Sequence, residues 1–234
     1  MLIGGINTFS MIDYPDKTSC IVFTVSCNLR CPFCHNPEFV LPEKIQEIKN
    51  DLIPQKVFLN FLEKRKGLLQ GVSICGGEPT LQKDLFDFCE KIKEMGFLIK
   101  LDTNGQDPKI LNELIKNKLI DYIAMDIKYP FYKYNEMLGV KNLNIESYKK
   151  SINIIINSNI NYEFRTTVIK GFHSIEIFED TVKEIKGANN FFIQNYQSGK
   201  TLDNDFTGKS FTNKELQDLQ KIAYKYINNV GIRN

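Results

Sequence analysis

Short apolar runs alternate with longer amphipathic segments along the whole chain. Runs rich in β-branched and aromatic residues predict strands, and apolar residues at helical spacing predict helices. The predicted strands cover residues 20–25, 71–75, 97–101, 122–126, 162–169 and 191–195. The predicted helices cover residues 54–66, 82–95, 108–118, 145–157, 175–186 and 213–227. Pro54 and Pro108 suit first helical turns, and Gly67, Gly96 and Gly187 suit helix ends.

This repeated strand–helix pattern predicts an α/β fold with a parallel sheet. Six such units fit a partial (β/α)6 barrel of the TIM-barrel type, shorter than the usual eight-unit form. An open doubly wound sheet fits the same pattern. The chain has 234 residues, of which 42% are hydrophobic, and it shows no repeated motif or low-complexity linker, so we expect a single domain over residues 1–234. In either architecture, functional residues are expected at the carboxyl ends of the strands.

The charge balance and the first residues exclude several classes of protein. Thirty Lys and Arg residues stand against 28 Asp and Glu, so the net charge of +2 predicts neither a nucleic-acid nor a membrane partner. Residues 1–7 lack the basic and apolar regions of a signal peptide, and no apolar run reaches the length of a membrane span. We therefore expect a cytoplasmic protein in a reducing compartment.

Three of the six cysteines lie in a short segment directly after the first predicted strand. Cys27, Cys31 and Cys34 form a C-x3-C-x2-C group in residues 27–36, here called the cysteine loop. Without a signal peptide, such a group favours metal or redox chemistry over disulfides. Three thiolates can hold three irons of a [4Fe-4S] cluster and leave the fourth iron open to another ligand. A zinc site with His35 as fourth ligand is the alternative, although adjacent Cys34 and His35 would strain its tetrahedron.

Polar residues also follow the next three predicted strands. They are Gly76, Gly77 and Glu78 after the second strand, Asp102, Thr103 and Asn104 after the third, and Asp126 and Lys128 at the fourth. The two glycines would let the backbone approach a ligand closely. The carboxylates could hold a cation or accept hydrogen bonds from hydroxyl groups, and the lysine could bind a carboxylate. The same residues could instead be turn formers and a surface ion pair.

The remaining candidates carry weaker signals. Arg165 lies among apolar residues on the fifth strand and needs a partner, which is either an ion pair or a ligand. Tyr196 follows the sixth strand and is a ligand-pocket candidate by position alone. His173 lies in a loop with no visible partner and is given no role. Buried, apolar-like positions are expected for Cys20, Cys75 and Cys89, which lack ligand spacing.

The cysteine loop resembles the signature of the radical S-adenosylmethionine (SAM) superfamily, C-x3-C-x-aromatic-C, through Cys27, Cys31, Phe33 and Cys34. The resemblance implies that SAM binds the open iron of a [4Fe-4S] cluster. One electron from the cluster then cleaves SAM to methionine and a 5′-deoxyadenosyl radical. The predicted SAM-binding residues are Phe33, His35, Gly76, Gly77, Glu78, Asp102, Thr103, Asn104, Asp126 and Lys128, together with Arg165 and Tyr196, which are included by their position.

Two further segments resemble the activases of glycyl radical enzymes. They are Asp102-Thr103-Asn104-Gly105 and the Asp-x-Lys segment of Asp126 and Lys128. In these activases the two aspartates help to bind a monovalent cation beside SAM, and the Asp-x-Lys segment contacts SAM. The resemblance implies a protein substrate, a glycyl radical enzyme that loses a hydrogen from a glycine Cα, and an electron donor that is a flavodoxin or a ferredoxin.

Within these activases, Asp13-Tyr14-Pro15 and Cys34-His35-Asn36-Pro37 most resemble the activating proteins of anaerobic ribonucleoside-triphosphate reductase. Pyruvate formate-lyase activase shares Cys-His-Asn but has a different N-terminal segment. A second hypothesis is a small-molecule enzyme such as 7-carboxy-7-deazaguanine synthase, which commonly has Asp-Thr after the third cysteine. A third is a ferredoxin-like carrier or a zinc-stabilised module, which would leave the Gly-Gly-Glu, Asp-Thr-Asn-Gly and Asp-x-Lys segments without a shared purpose.

Overall fold

The computed structural model of the protein describes residues 1–233, which form eight strands and eight α-helices. The strands are β1 (Ile3–Ser10), β2 (Ser19–Thr24), β3 (Gly71–Gly76), β4 (Leu98–Thr103), β5 (Tyr122–Asp126), β6 (Asn161–Val168), β7 (Asn190–Asn195) and β8 (Asn229–Arg233). The helices are α1 (Pro42–Glu47), α2 (Gln55–Glu63), α3 (Leu85–Glu94), α4 (Pro108–Lys116), α5 (Tyr134–Met137), α6 (Ile145–Ile156), α7 (Ile175–Lys183) and α8 (Asn213–Ala223). Single 3-10 turns cover Pro37–Phe39, Pro79–Leu81 and Phe131–Lys133.

The strands form one sheet in the order of the chain, from β1 to β8. β1 pairs with β2 antiparallel, whereas β2, β3 and β4 are parallel to one another, as are β6, β7 and β8. A doubly wound sheet would reverse its strand order at a switch point, and this order has no such reversal. The prediction of an α/β fold of the partial TIM-barrel type is therefore confirmed.

All six predicted strands and all six predicted helices are present. Each helix ends before the residue predicted for its end. The prediction of six strands is wrong, because the sheet also contains β1 and β8. No helix within residues 1–233 combines the length and the apolar character needed to cross a membrane.

The two additional strands have sequences that carry little strand signal. β1 contains Gly4 and Gly5, and residues 7–9 are exposed, so the strand has no clear apolar alternation. β8 is only five residues long, and besides its pairing with β7 it is linked to β6 by a charge pair. Arg233 donates from Nη1 and Nη2 to Oε1 and Oε2 of Glu163, at 2.6 and 2.8 Å. Because Glu163 on β6 is fully buried, its carboxylate requires such a partner.

The chain divides into two compact units. Unit 1 comprises residues 1–28, 36–103 and 109–123, and unit 2 comprises residues 29–35, 104–108 and 124 onward. In unit 1 the fully buried rings of Phe58 on α2 and Phe88 on α3 lie 5.6 Å apart. In unit 2 the fully buried rings of Phe178 on α7 and Phe191 on β7 lie 6.3 Å apart. The single domain over residues 1–234 stays a prediction.

The turn after β3 lies against the end of β2, within unit 1. The Gly77 N–H donates to the Thr24 carbonyl at 2.7 Å, and the Glu78 N–H donates to the Ser26 carbonyl at 2.8 Å. Gly76 has a φ of +107°, and a Cβ on this residue would lie 2.5 Å from the Thr24 backbone. A Cβ on Gly77 would lie 2.0 Å from the Ser26 oxygen. Both glycines are therefore needed for the contact between this turn and the segment that leads into the cysteine loop.

We expect Gly77→Ala to destabilise the protein, because the added Cβ would meet backbone that cannot move aside. The expected loss in the free energy of unfolding is about 1–3 kcal/mol, measured by urea unfolding. Gly5→Ala is the matched control, since its Cβ would lie 3.5 Å from the Phe39 ring and 3.7 Å from Phe23. The control should change the stability by less than about 1 kcal/mol. Equal stabilities of the two variants would contradict this account of the turn.

Candidate functional site

The cysteine loop leaves β2 with an irregular backbone that brings its thiols to different depths. Cys31 is buried, whereas Cys27 and Cys34 are partly exposed, and none of the three forms a disulfide. The Cys34 N–H donates to the Cys31 carbonyl at 3.0 Å, which closes a tight turn between these two cysteines. The loop therefore presents three thiols without a disulfide.

Residues 29–35 of the loop are held by backbone hydrogen bonds within unit 2. The Arg30 N–H donates to the Leu138 carbonyl at 2.9 Å, and the Asp203 N–H donates to the Pro32 carbonyl at 3.0 Å. These partners come from two segments that are distant in sequence. An irregular loop satisfies its backbone groups in this way when no strand or helix can do so.

Asp126, Lys128 and Arg165 form one ionic cluster in unit 2. Arg165 Nε donates to Asp126 Oδ1 at 2.9 Å, and Lys128 Nζ donates to Asp126 Oδ2 at 3.2 Å. Burial raises the pKa of Asp126, but the charges of Arg165 and Lys128 outweigh that effect and lower the pKa to about 2. Asp126 is therefore ionised at neutral pH. The partner expected for Arg165 is this carboxylate.

Lys128 also links this ionic cluster to the cysteine loop. Burial lowers the pKa of Lys128, but the Asp126 carboxylate and the negative charges of Cys31 and Cys34 raise it on balance. The side chains of Lys128 and Asp126 are only 19% and 29% exposed, so a solvated surface pair does not describe them.

His173, for which the sequence shows no partner and indicates no role, positions the backbone of Lys128. The Ile169 N–H donates to His173 Nδ1 at 3.1 Å, so Nε2 carries the proton and donates to the Lys128 carbonyl at 3.0 Å. The ring stacks on Tyr129 with centroids 4.3 Å apart. Burial lowers the pKa of His173 to about 4, although both hydrogen bonds oppose the shift. His173 is therefore neutral at pH 7, and only its packing reveals its role.

An aromatic group surrounds the second half of the loop. His35 stacks on Tyr196 with ring centroids 5.5 Å apart, and His35 Nδ1 lies 2.9 Å from the Lys200 carbonyl oxygen. Phe206 lies 6.2 Å from Phe33 and 5.6 Å from Tyr196, measured between centroids. The structure thus brings together three predicted residues, Phe33, His35 and Tyr196. Phe206 completes the group, and no motif in the sequence marks it.

In unit 1, the carboxylate of Glu78 is held by two threonines. Its Oε1 accepts hydrogen bonds from Thr80 N at 3.1 Å, Thr80 Oγ1 at 2.7 Å and Thr103 Oγ1 at 2.8 Å. Glu78 is 1% exposed. Because three donors converge on one oxygen, the orientation of this carboxylate is fixed. Thr103, a predicted SAM-binding residue, thus supports Glu78.

Asp102 forms an ion pair with a lysine from the same strand. Lys100 Nζ donates to Asp102 Oδ1, and the two side chains are 3% and 19% exposed. Residues two apart on a strand point to the same face, so β4 itself brings the two groups together. The Asp-Thr-Asn-Gly motif begins at Asp102 and does not include Lys100. This buried cation is therefore not among the predicted residues.

Further predicted residues have definite positions. Asn104 is buried and its Oδ1 accepts from the Gln106 N–H at 3.0 Å, as expected of a turn former. Cys20 and Cys89 are fully buried, and burial raises the pKa of each to about 12. The expected burial is wrong for Cys75, which is partly exposed.

The three thiols of the cysteine loop suit a [4Fe-4S] cluster by their chemistry. Within residues 1–233 there is no group of three or more His, Cys, Asp or Glu side chains that could hold a metal ion. A cubane cluster takes one thiolate on each iron, so its ligands do not converge on one ion as those of zinc do. Three thiols that form no disulfide fit such a cluster, which would leave one iron without a protein ligand.

Two curated relatives share sequence with the chain. One is "Putative glycyl-radical enzyme activating enzyme MJ1227" of Methanocaldococcus jannaschii, which is 39% identical over 241 residues, with 99% of this chain and 95% of that protein covered. The other is pyruvate formate-lyase-activating enzyme of Clostridium pasteurianum, 30% identical over 130 residues, with 54% of this chain and 52% of that protein covered.

Among solved structures, SuiB of Streptococcus suis bound to the precursor peptide SuiA is similar with a TM-score of 0.66 and 21% identity. The match covers 90% of this chain and 47% of SuiB, so the likeness concerns the fold alone. The chain spans about half the length of SuiB, and the match to the pyruvate formate-lyase activase covers about half of this chain and about half of that activase. Residues 21–185 match the family model described as the radical SAM superfamily. The chain therefore belongs to the radical SAM superfamily.

Proposed function

We propose that this protein is an activase that generates a glycyl radical on a partner enzyme. Cys27, Cys31 and Cys34 hold a [4Fe-4S] cluster in this proposal, and SAM is the cosubstrate. The observation that carries it is the partly buried ion pair of Lys128 and Asp126, at 3.2 Å, in the same unit as Cys31 and Cys34, since these two charged residues form the segment typical of activases. The near full-length similarity to a relative with an activating-enzyme name supports the same class.

The chain's own residues would bind and orient SAM. When bound and reduced, the cluster supplies the electron that cleaves SAM. Glu78, held by Thr80 and Thr103, would accept hydrogen bonds from the SAM amino group. Lys128 would pair with the SAM carboxylate while Asp126 and Arg165 fix its position. His173 is a positioning residue that acts through the backbone of Lys128.

The aromatic group of Phe33, His35, Tyr196 and Phe206 would contact the adenine of SAM. Stacked and tilted rings offer flat apolar surfaces that suit a nucleobase. Asp102 and Asn104 would help to hold the ribose side of SAM, and Gly76 and Gly77 would leave their backbone open beside it.

As the partner we propose anaerobic ribonucleoside-triphosphate reductase in the cytoplasm, with a flavodoxin or ferredoxin as electron donor. The support is the resemblance of Cys34-His35-Asn36-Pro37 and Asp13-Tyr14-Pro15 to that class of activase. Tyr14 is buried and its ring lies 5.9 Å from that of Tyr122, so this segment also serves the packing of unit 1.

The partner is tested by anaerobic incubation of the reconstituted protein with SAM, reduced flavodoxin and each candidate enzyme. A glycyl radical doublet in the EPR spectrum of the reductase, absent with pyruvate formate-lyase, would support the assignment. A doublet on pyruvate formate-lyase alone would transfer the proposal to that partner. SAM cleavage without a radical on either protein would favour a small-molecule substrate.

We expect Cys31→Ala to abolish reductive SAM cleavage, because one iron would lose its protein ligand. Cys89→Ala is the matched control, since Cys89 is fully buried and belongs to α3. The control should retain most of the cleavage at a stability loss of about 1 kcal/mol. 5′-Deoxyadenosine formation, measured by chromatography, separates the two. Full cleavage by Cys31→Ala with a reconstituted cluster would contradict the ligand assignment.

Thr103→Val removes one donor from Glu78 with little change in shape. We expect the dissociation constant for SAM to rise by about 3–10-fold, the loss typical of one hydrogen bond. Thr103→Ser keeps the hydroxyl and should bind SAM nearly as tightly as the wild type. Equilibrium titration of the reconstituted protein with SAM measures the three constants. Equal affinity of the valine and serine variants would contradict a role for Thr103 in holding Glu78.

A further inference from the structure

The monovalent cation implied by the activase resemblance does not fit at Asp102. The Lys100 ammonium already donates to Oδ1 of this carboxylate. The Lys100 side chain is 3% exposed, so the ammonium has no solvated position in this structure. A metal ion on the same carboxylate would lie next to this fixed positive charge and would be repelled by it.

The strand holds the lysine in place. On β4, Lys100 lies beside Ser73 of β3, a buried and uncharged neighbour in the register of the two strands. Asp102 is the anionic partner that the structure gives to Lys100. A buried ammonium that lost this partner would be left as an uncompensated charge, which is strongly unfavourable. The ion pair is therefore a stable part of unit 1.

We propose that the Lys100 ammonium replaces the monovalent metal ion of other activases as the cation at Asp102. An ammonium carries the same single positive charge as K⁺ or Na⁺, and the side chain supplies it without a binding equilibrium. The binding of SAM is then independent of K⁺ and Na⁺. This inference rests on the proposed function, because it concerns the charge beside the SAM site.

The first test measures SAM affinity of the reconstituted wild-type protein in KCl, NaCl and tetramethylammonium chloride at equal ionic strength. Tetramethylammonium is too large and too weakly coordinating to occupy a carboxylate site of this kind. We expect the three dissociation constants to agree within about twofold, well below the 5–150-fold range typical of coupled sites. Affinity that falls at least about tenfold without K⁺ or Na⁺ would overturn the proposal.

The second test creates the metal site. Lys100→Met removes the charge but keeps the apolar stem, so the ammonium no longer competes with K⁺ at Asp102. In tetramethylammonium we expect the affinity of this variant for SAM to fall by about 5–150-fold, and K⁺ should restore it. Lys93→Met is the matched control, since Lys93 pairs with Asp121 at 2.7 Å and is 27% exposed. Its SAM affinity should not respond to K⁺.

A third readout needs neither SAM nor activity. K⁺ should raise the thermal unfolding midpoint of Lys100→Met, and the further change Asp102→Asn should remove that response. No K⁺ response in Lys100→Met would overturn the proposal. If the variant does not fold, the wild-type titration decides. If no form of the protein binds SAM, the proposed function fails, whereas the K⁺ response of Lys100→Met still reports whether lysine and metal exchange at Asp102.

Discussion

The cysteine loop depends on backbone hydrogen bonds to segments far from it in the sequence. Its entry is fixed where the turn after β3 bonds to Thr24 and Ser26, and the later part is fixed by Leu138 and Asp203. A loop that exposes thiols has few apolar side chains to bury, so its shape has to come from its main chain. The chemistry proposed for this protein rests on that constraint.

Charged side chains at the carboxyl ends of the strands are paired with one another within each unit. In unit 2, Asp126 joins Arg165 and Lys128, and in unit 1 Lys100 neutralises Asp102. Pairing of this kind lowers the cost of keeping ionised groups away from water, and it fixes their orientation. Side chains that are already held in one orientation lose less conformational entropy when a cosubstrate binds.

Much of the fold is predictable from the sequence, because the strands and helices of βα units differ in the periodicity of their apolar residues. Gly and Pro at the helix ends mark the boundaries. β1 and β8 are not predicted. Glycine weakens the strand pattern of β1, and β8 is short and is held by its pairing with β7 and by the bond from Arg233 to buried Glu163. The residues of the motifs can be recognised in the sequence, whereas the residues that hold them in place cannot. His173, Phe206 and Lys100 acquire their roles only through contacts made in three dimensions.

The most direct test of the central claim is EPR spectroscopy of the anaerobically reconstituted and reduced protein, recorded with and without SAM. If Cys27, Cys31 and Cys34 hold a [4Fe-4S] cluster with one open iron, the reduced cluster signal will change shape when SAM binds, and 5′-deoxyadenosine will form. A protein that assembles no cluster, or a cluster signal indifferent to SAM, would contradict the account.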